Sequence, residues 1–152
     1  MRFDSLIMSN NKTVNGLINI GDRKLQDEFL EKYTDYLFKH NIRPFHSLDR
    51  FLLLKPDGSI SDLQHIFGYI DSASVYDNYF EGVLSIDVTE LLNPCNEFAA
   101  QYFCEHISNP KYRDHATIIL FVSDFSLDET NRFERRLDRY LKVKRIDSSS
   151  IM

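Results

Sequence analysis

The sequence predicts an α/β fold: three layers, with a mainly parallel sheet and helices on both faces. Three observations lead there. Segments of strand character alternate with segments of helical periodicity, which implies right-handed crossovers between parallel strands. The strongest strand segment, Ala116-Thr117-Ile118-Ile119-Leu120-Phe121-Val122, is almost continuously apolar and β-branched, as in a strand covered on both faces. Finally, a length of 152 residues, 43% of them hydrophobic, suits one core, so residues 1–152 read as a single α/β domain.

The elements follow in order. A first strand is expected over residues 14–20. A helix follows over 22–40, with Leu25, Phe29, Tyr33, Tyr36 and Leu37 at helical spacing. Asp22 is its N-cap or first-turn acid, and His40-Asn41 its stop. Residues 42–79 are the least legible. There, Phe51-Leu52-Leu53-Leu54-Lys55-Pro56 reads equally as a strand or as the end of a helix, while Pro56-Asp57-Gly58-Ser59 is a turn. Ser59-Ile60-Ser61-Asp62 opens a second helix, carrying Leu63, Ile66, Phe67 and Ile70. Another strand is expected over 82–88. Pro94 and Pro110 bracket a helix over 95–108, with Phe98, Tyr102, Phe103 and Ile107. After the strand at 116–122, Asp128-Glu129 start a last helix with Phe133, Leu137, Tyr140 and Leu141. The alternating segment 141–146 suits an edge strand with one wet face.

Composition excludes several classes. The 18 basic and 23 acidic side chains give a net charge of −5. The apolar and aromatic content is too high for a disordered tail, and 5 Gly with 4 Pro exclude a collagenous or low-complexity chain. No apolar run approaches the roughly 18 residues of a membrane span. The opening residues, Met1 to Met8, carry an early acid and no long apolar stretch, so no signal peptide is expected and the expected location is cytoplasmic. Cys95 and Cys104 lack the spacing of a zinc or redox motif and are expected to be reduced packing residues. His40, His46, His65, His106 and His115 form no ligand pattern of the zinc-enzyme kind. No metal, cofactor or catalytic residue is expected.

In a parallel sheet, ligands bind at the carboxyl ends of the strands. The first strand is followed by Gly21-Asp22-Arg23-Lys24. Gly16 and Gly21 have the spacing of a phosphate-binding loop, but Asp22 and Arg23 stand where Lys and Ser or Thr are needed, and residues 17–20 look like strand rather than loop. No Gly-x-Gly-x-x-Gly fingerprint occurs either. The second strand, Val83-Leu84-Ser85-Ile86-Asp87, ends in an acid, as does a strand that holds Mg²⁺, although Thr89-Glu90 make Asp87 equally a cap. Ser123 and Asp124 follow the strand at 116–122. Asp22, Arg23, Asp87, Ser123 and Asp124 are thus the candidate ligand-binding residues for a nucleotide or phosphoryl group.

The last helix carries the most distinctive pattern. Arg132, Arg135, Arg136 and Arg139 recur at three- and four-residue spacing, opposite Phe133, Leu137 and Tyr140. Residues 132–145 hold seven basic side chains against Glu134 and Asp138, while the rest of the chain has 11 basic and 21 acidic ones. Such asymmetry presents a basic stripe on an acidic body. It reads as a solvated face, as a surface for an acidic protein or another copy of the chain, or as a nucleic-acid contact opposed by the acidic remainder. Tyr76, Tyr79 and Phe80, in a polar stretch, are candidates for an exposed contact patch.

Taken together, the second half resembles the core of an AAA+ ATPase. In that family an apolar Walker B strand ends in acids, and a second apolar strand ends in a polar sensor residue. An Arg-rich segment with an arginine finger and a last strand follow. Here these correspond to Leu84-Ser85-Ile86-Asp87, to Ile118-Ile119-Leu120-Phe121-Val122-Ser123, to residues 127–139 and to Val143-Lys144-Arg145-Ile146. The resemblance spans residues 82–147 and is one of order. The Walker A Lys and Ser/Thr are absent, Val88 replaces the second acid, and no helical lid follows the last strand. The resemblance therefore implies a degenerate P-loop- or Rossmann-like domain without ATPase activity, serving as a protein-interaction or regulatory member of an assembly. It would bind a protein partner or its own copies, with Arg135, Arg136 or Arg139 reaching a neighbour's phosphates.

Overall fold

The computed structural model describes residues 1–42, 51–72 and 81–152. Five strands form one sheet: β1 (Gly16–Ile18), β2 (Phe51–Leu54), β3 (Gly82–Asp87), β4 (Ala116–Phe121) and β5 (Lys144–Ile146). Their spatial order is β2-β3-β4-β1-β5, and every pairing is parallel. The helices are α1 (Arg23–Lys39), α2 (Ile60–Ser72), α3 (Glu97–Ile107), α4 (Pro110–Arg113) and α5 (Asp128–Leu137). This is a three-layer α/β fold.

Strand order dictates the layers. The crossover from β1 to β2 runs across the sheet one way, and those from β2, β3 and β4 run the other way. Right-handed connections then put α1 alone on one face and α2, α3 and α5 on the opposite one. The packing agrees. Phe29, Leu30, Tyr33 and Leu37 of α1 join Ile18, Val83, Ile119, Phe121 and Ile146 in one core. Both ends of the chain finish that layer: Phe3 and Leu6 pack beside α1, Ile151 joins them, and Arg2 N donates to Ile151 O at 2.8 Å. Phe29 stacks on Tyr33 at 5.6 Å and meets Phe121 edge-on at 5.9 Å. The second core combines Leu84, Ile86, Ile118 and Leu120 of the sheet with Leu63, Phe67, Phe103, Phe133 and Leu137. β3 and β4 are buried along their whole length, which is why β4 is apolar but for Thr117 and why the polar Ser85 and Asp87 of β3 are buried too.

Caps follow the chemistry of the sequence. Asp22 Oδ1 accepts from Leu25 N at 3.0 Å, so Asp22 is the N-cap of α1. Ser59 Oγ accepts from Asp62 N at the start of α2. Asn109 caps α4, where Pro110 takes the first position. Gly58, at φ +97, occupies a left-handed position that only Gly takes without strain.

Several expectations need correction. Phe51–Leu54 is a strand, pairing in parallel with β3 at one edge of the sheet. The strands expected over 14–20 and 141–146 pair only over Gly16–Ile18 and Lys144–Ile146. Phe98 is not part of the core: it is 82% exposed, because Ala99, Ala100, Phe103, Cys104 and Ile107 form the buried face of α3. α5 ends at Leu137, so Tyr140 and Leu141 lie in the turn beyond it. Cys104 is buried, and burial pushes its thiol up to about 12, but Cys95 is exposed and does not pack. His46 and the patch residues Tyr76, Tyr79 and Phe80 lie outside the described residues.

Candidate functional site

The strand order creates one topological switch point. The chain leaves β1 toward the α1 layer and leaves the adjacent β4 toward the other, so the crevice opens between their carboxyl ends. The residues predicted from sequence flank this crevice and the tip of β3 next to it.

Asp87 closes β3. Pleating turns Val83, Ser85 and Asp87 toward α1 and Leu84 and Ile86 away from it. Asp87 is only 3% exposed, and both its oxygens are engaged. Oδ2 accepts from Gln26 Nε2 at 2.8 Å, and Oδ1 from Thr89 N at 3.0 Å, at the start of the 3-10 turn Thr89–Leu92. Gln26 Nε2 also donates to Ile20 O at 2.7 Å. Gln26 thus ties α1, the end of β1 and the tip of β3 together. Its amide orientation follows from two oxygen acceptors on one side, since the flipped amide would set Oε1 against both. Gln26 Oε1, Ser85 Oγ, Tyr33 Oη and Thr89 Oγ1 are buried without a hydrogen-bond partner among the described residues.

Sequence reasoning missed Gln26. The signal was present: positions 26, 29, 30, 33 and 37 share one helical face, and Gln26 is the polar member of an otherwise largely apolar set. It is 1% exposed, so its amide has to find partners.

The crevice itself is narrow. A Cβ at Gly21 would stand 3.2 Å from both Cα and Cβ of Ser123, so the segment after β1 lies directly on the segment after β4. The ladder also continues past the strands: Val122 N donates to Ile18 O, and Val88 N to Phe121 O, both at 2.9 Å. The other predicted residues serve their own segments. Asp22 caps α1, and exposed Arg23 pairs with Asp27 at 3.5 Å. Ser123 is exposed. Asp124 Oδ1 accepts from Ser126 N at 2.8 Å, which holds its carboxyl below the usual range, and Asp124 O accepts from Thr130 Oγ1 at 2.7 Å. Topology gathers these residues at one end of the sheet, but Asp87 points inward beneath α1, and among the described residues no hydrogen bond or ion pair joins it to Asp22, Arg23, Ser123 or Asp124.

The basic segment divides in two. Arg136 donates to Gln101 Oε1 at 2.6 Å and to Glu97 Oε1 at 2.8 Å, bridging α5 to α3. Arg145 donates to Glu134 and Asn131 and lies 4.4 Å over the Phe125 ring. These two are therefore internal fasteners rather than members of an outward stripe. Arg132, Arg135 and Arg139 are exposed and make no ion pair among the described residues. Between α3 and α5 lies a small groove of about 80 Å³, lined by Leu92, Pro94, Ala100 and Phe133 together with the charged residues Glu97, Glu129, Arg132 and Arg136.

Among the described residues, no group of three or more His, Cys, Asp or Glu side chains is placed to hold a metal ion, and no helix is long and apolar enough to cross a membrane. Neither a protein-family model nor a curated protein matches this chain.

Proposed function

We propose that this chain is a non-catalytic, P-loop-like α/β domain that acts through protein contacts within a larger assembly. The observation that carries the reading is the Gln26–Asp87 bond. The acid that ends β3, in the position from which such a strand would hold Mg²⁺, is buried under α1, with both oxygens occupied by protein donors. Three features support it. Only residues 19–22 separate β1 from α1, too few for a loop that wraps phosphates. Gly21 rests on Ser123 where a ligand would enter. The order β2-β3-β4-β1-β5 also differs from both common doubly wound orders, 3-2-1-4-5-6 and 2-1-3-4-5, which weighs against a Rossmann- or flavodoxin-type site.

The test is a thermal shift with a panel of nucleotides, with and without Mg²⁺. A ligand at 100 times its dissociation constant stabilises by about 2.7 kcal/mol. For a chain of this size that is roughly 5–10 °C. No shift is expected at millimolar nucleotide. A Mg²⁺-dependent shift that Asp87→Asn removes would overturn the reading.

A further inference from the structure

We propose that the groove between α3 and α5, with the arginine row beside it, is the docking site for an acidic protein segment that inserts one apolar side chain. This rests on the reading that the chain works through protein contacts, and it names the surface and the chemistry of the partner.

The groove is preformed. Arg136 reaches from α5 to Gln101 and Glu97 of α3, fixing the separation of the two walls, and Ala100 leaves room between them. A surface held in its binding shape loses little entropy on docking. About half of the groove's lining is apolar, Leu92, Pro94, Ala100 and Phe133 among it, and the rest is polar or charged. Phe98, at the start of α3, is 82% exposed, and Pro94 and Cys95, just before α3, are exposed as well.

Charge then selects the occupant. Arg132, Arg135 and Arg139 follow one another at i, i+3 and i+7, exposed and without an ion pair among the described residues. Arg139 lies in the turn just past the end of α5, where Arg139 N donates to Arg136 O at 3.4 Å. In a chain of net charge −5, this local excess of cations meets a partner of opposite sign. Nucleic acid fits less well. It has no aliphatic side chain for the apolar part of the groove, whereas of the two carboxylates there Glu97 is already paired with Arg136.

The test pans a displayed library of random peptides on the immobilised full-length chain. Enriched sequences are then made as labelled peptides and measured by fluorescence anisotropy. Acidic sequences with one Leu, Ile, Phe or Met are expected. Replacing that residue by Ser should weaken binding about tenfold or more, as should the joint substitution Arg132→Glu, Arg135→Glu and Arg139→Glu. Ala100→Met, which fills the groove, should abolish binding; the surface charge variant keeps the test decisive if Ala100→Met does not fold. Failure to enrich any sequence, enrichment of basic ones, or binding untouched by the charge reversals would overturn the proposal. So would tighter binding of single-stranded DNA than of the peptides, or self-association by sedimentation that the same charge reversals abolish. The nucleotide thermal shift is run on the same protein. A shift without change in peptide binding refutes the preceding reading alone, and loss of peptide binding without a shift refutes the docking site alone.

Discussion

Removing the Gln26 amide should loosen the whole sheet end, and the size of the effect follows from its two bonds. Gln26→Ala deletes the donor to Asp87 Oδ2 at 2.8 Å and the donor to Ile20 O at 2.7 Å, in a site where Gln26 is 1% and Asp87 3% exposed. A hydrogen bond to a carboxylate contributes about 1.5–3 kcal/mol and one to a carbonyl about 1 kcal/mol. The expected loss is therefore about 2.5–4 kcal/mol, or roughly 10 °C in Tm for a chain this long. Asp87→Asn, which keeps the volume and the acceptor for Thr89 N but turns an amide donor toward the Gln26 donor, should cost about 2 kcal/mol. Urea denaturation of Gln26→Ala, Asp87→Ala and the double variant measures the coupling directly, expected at about 2 kcal/mol. Additivity to within about 0.5 kcal/mol would refute the lock. So would an Asp87→Asn protein more stable than the parent, because relief on removing an acid marks a site kept strained for function.

Three other measurements probe the same structure. Gly21→Val should destabilise by about 1–3 kcal/mol in a thermal melt, since even a Cβ there stands 3.2 Å from the Ser123 backbone. Arg136→Ala should cost about 1–2 kcal/mol through its bonds to Gln101 and Glu97, whereas Arg135→Ala should stay within about 0.5 kcal/mol, a contrast that urea midpoints resolve. Asp57, Asp124 and Asp147 are all held below the usual carboxylate range by hydrogen bonds from the backbone two residues on, so their contribution is fully present above about pH 4 and fades as pH falls through the lowered values. Melting from pH 5 downward should show that fall, and Asp124→Asn should make it shallower.

The layers of the fold were legible because burial on both faces writes a nearly continuous apolar run, and β4 is such a strand. The caps were legible because Asp22 and Ser59 make local bonds that sequence spacing encodes. β2 was not, since Phe51–Leu54 is too short for any period to separate strand from helix, and its pairing with β3 is a long-range fact. Phe98 misled for a related reason: helical spacing groups aromatic residues, but Ala99 and Ala100 are the ones that let α3 approach the sheet closely. At the strand tips, position was legible and direction was not. Asp87 was identifiable as the acid ending β3, yet whether it faces a ligand or a glutamine depends on α1, over 60 residues earlier in the chain. In the same way, spacing grouped four arginines that tertiary partners separate, with Arg136 drawn into the α3 contact and Arg132, Arg135 and Arg139 left outside.

The energetics of the crevice bear on what a ligand there would face. To reach the Asp87 carboxylate, a phosphate-bound cation must displace Gln26, and to enter between β1 and β4 it must part Gly21 from Ser123. The first step alone forfeits about 2.5–4 kcal/mol, a competent population near 1 in 70 to 1 in 1,000. A nucleotide with an intrinsic dissociation constant of about 1 μM would then bind with an apparent value of roughly 0.07–1 mM. The residues after β1, Gly21-Asp22-Arg23, also lack the Lys and Ser or Thr of a phosphate-binding loop, so occupancy fails twice over. This also separates two causes of a negative nucleotide result. If the Gln26 lock alone closes the site, Gln26→Ala should gain Mg²⁺-dependent nucleotide stabilisation that the parent lacks. If the phosphate-binding groups are absent as well, as the four-residue link from β1 to α1 argues, Gln26→Ala will melt lower and still ignore nucleotide. The second result is the one expected.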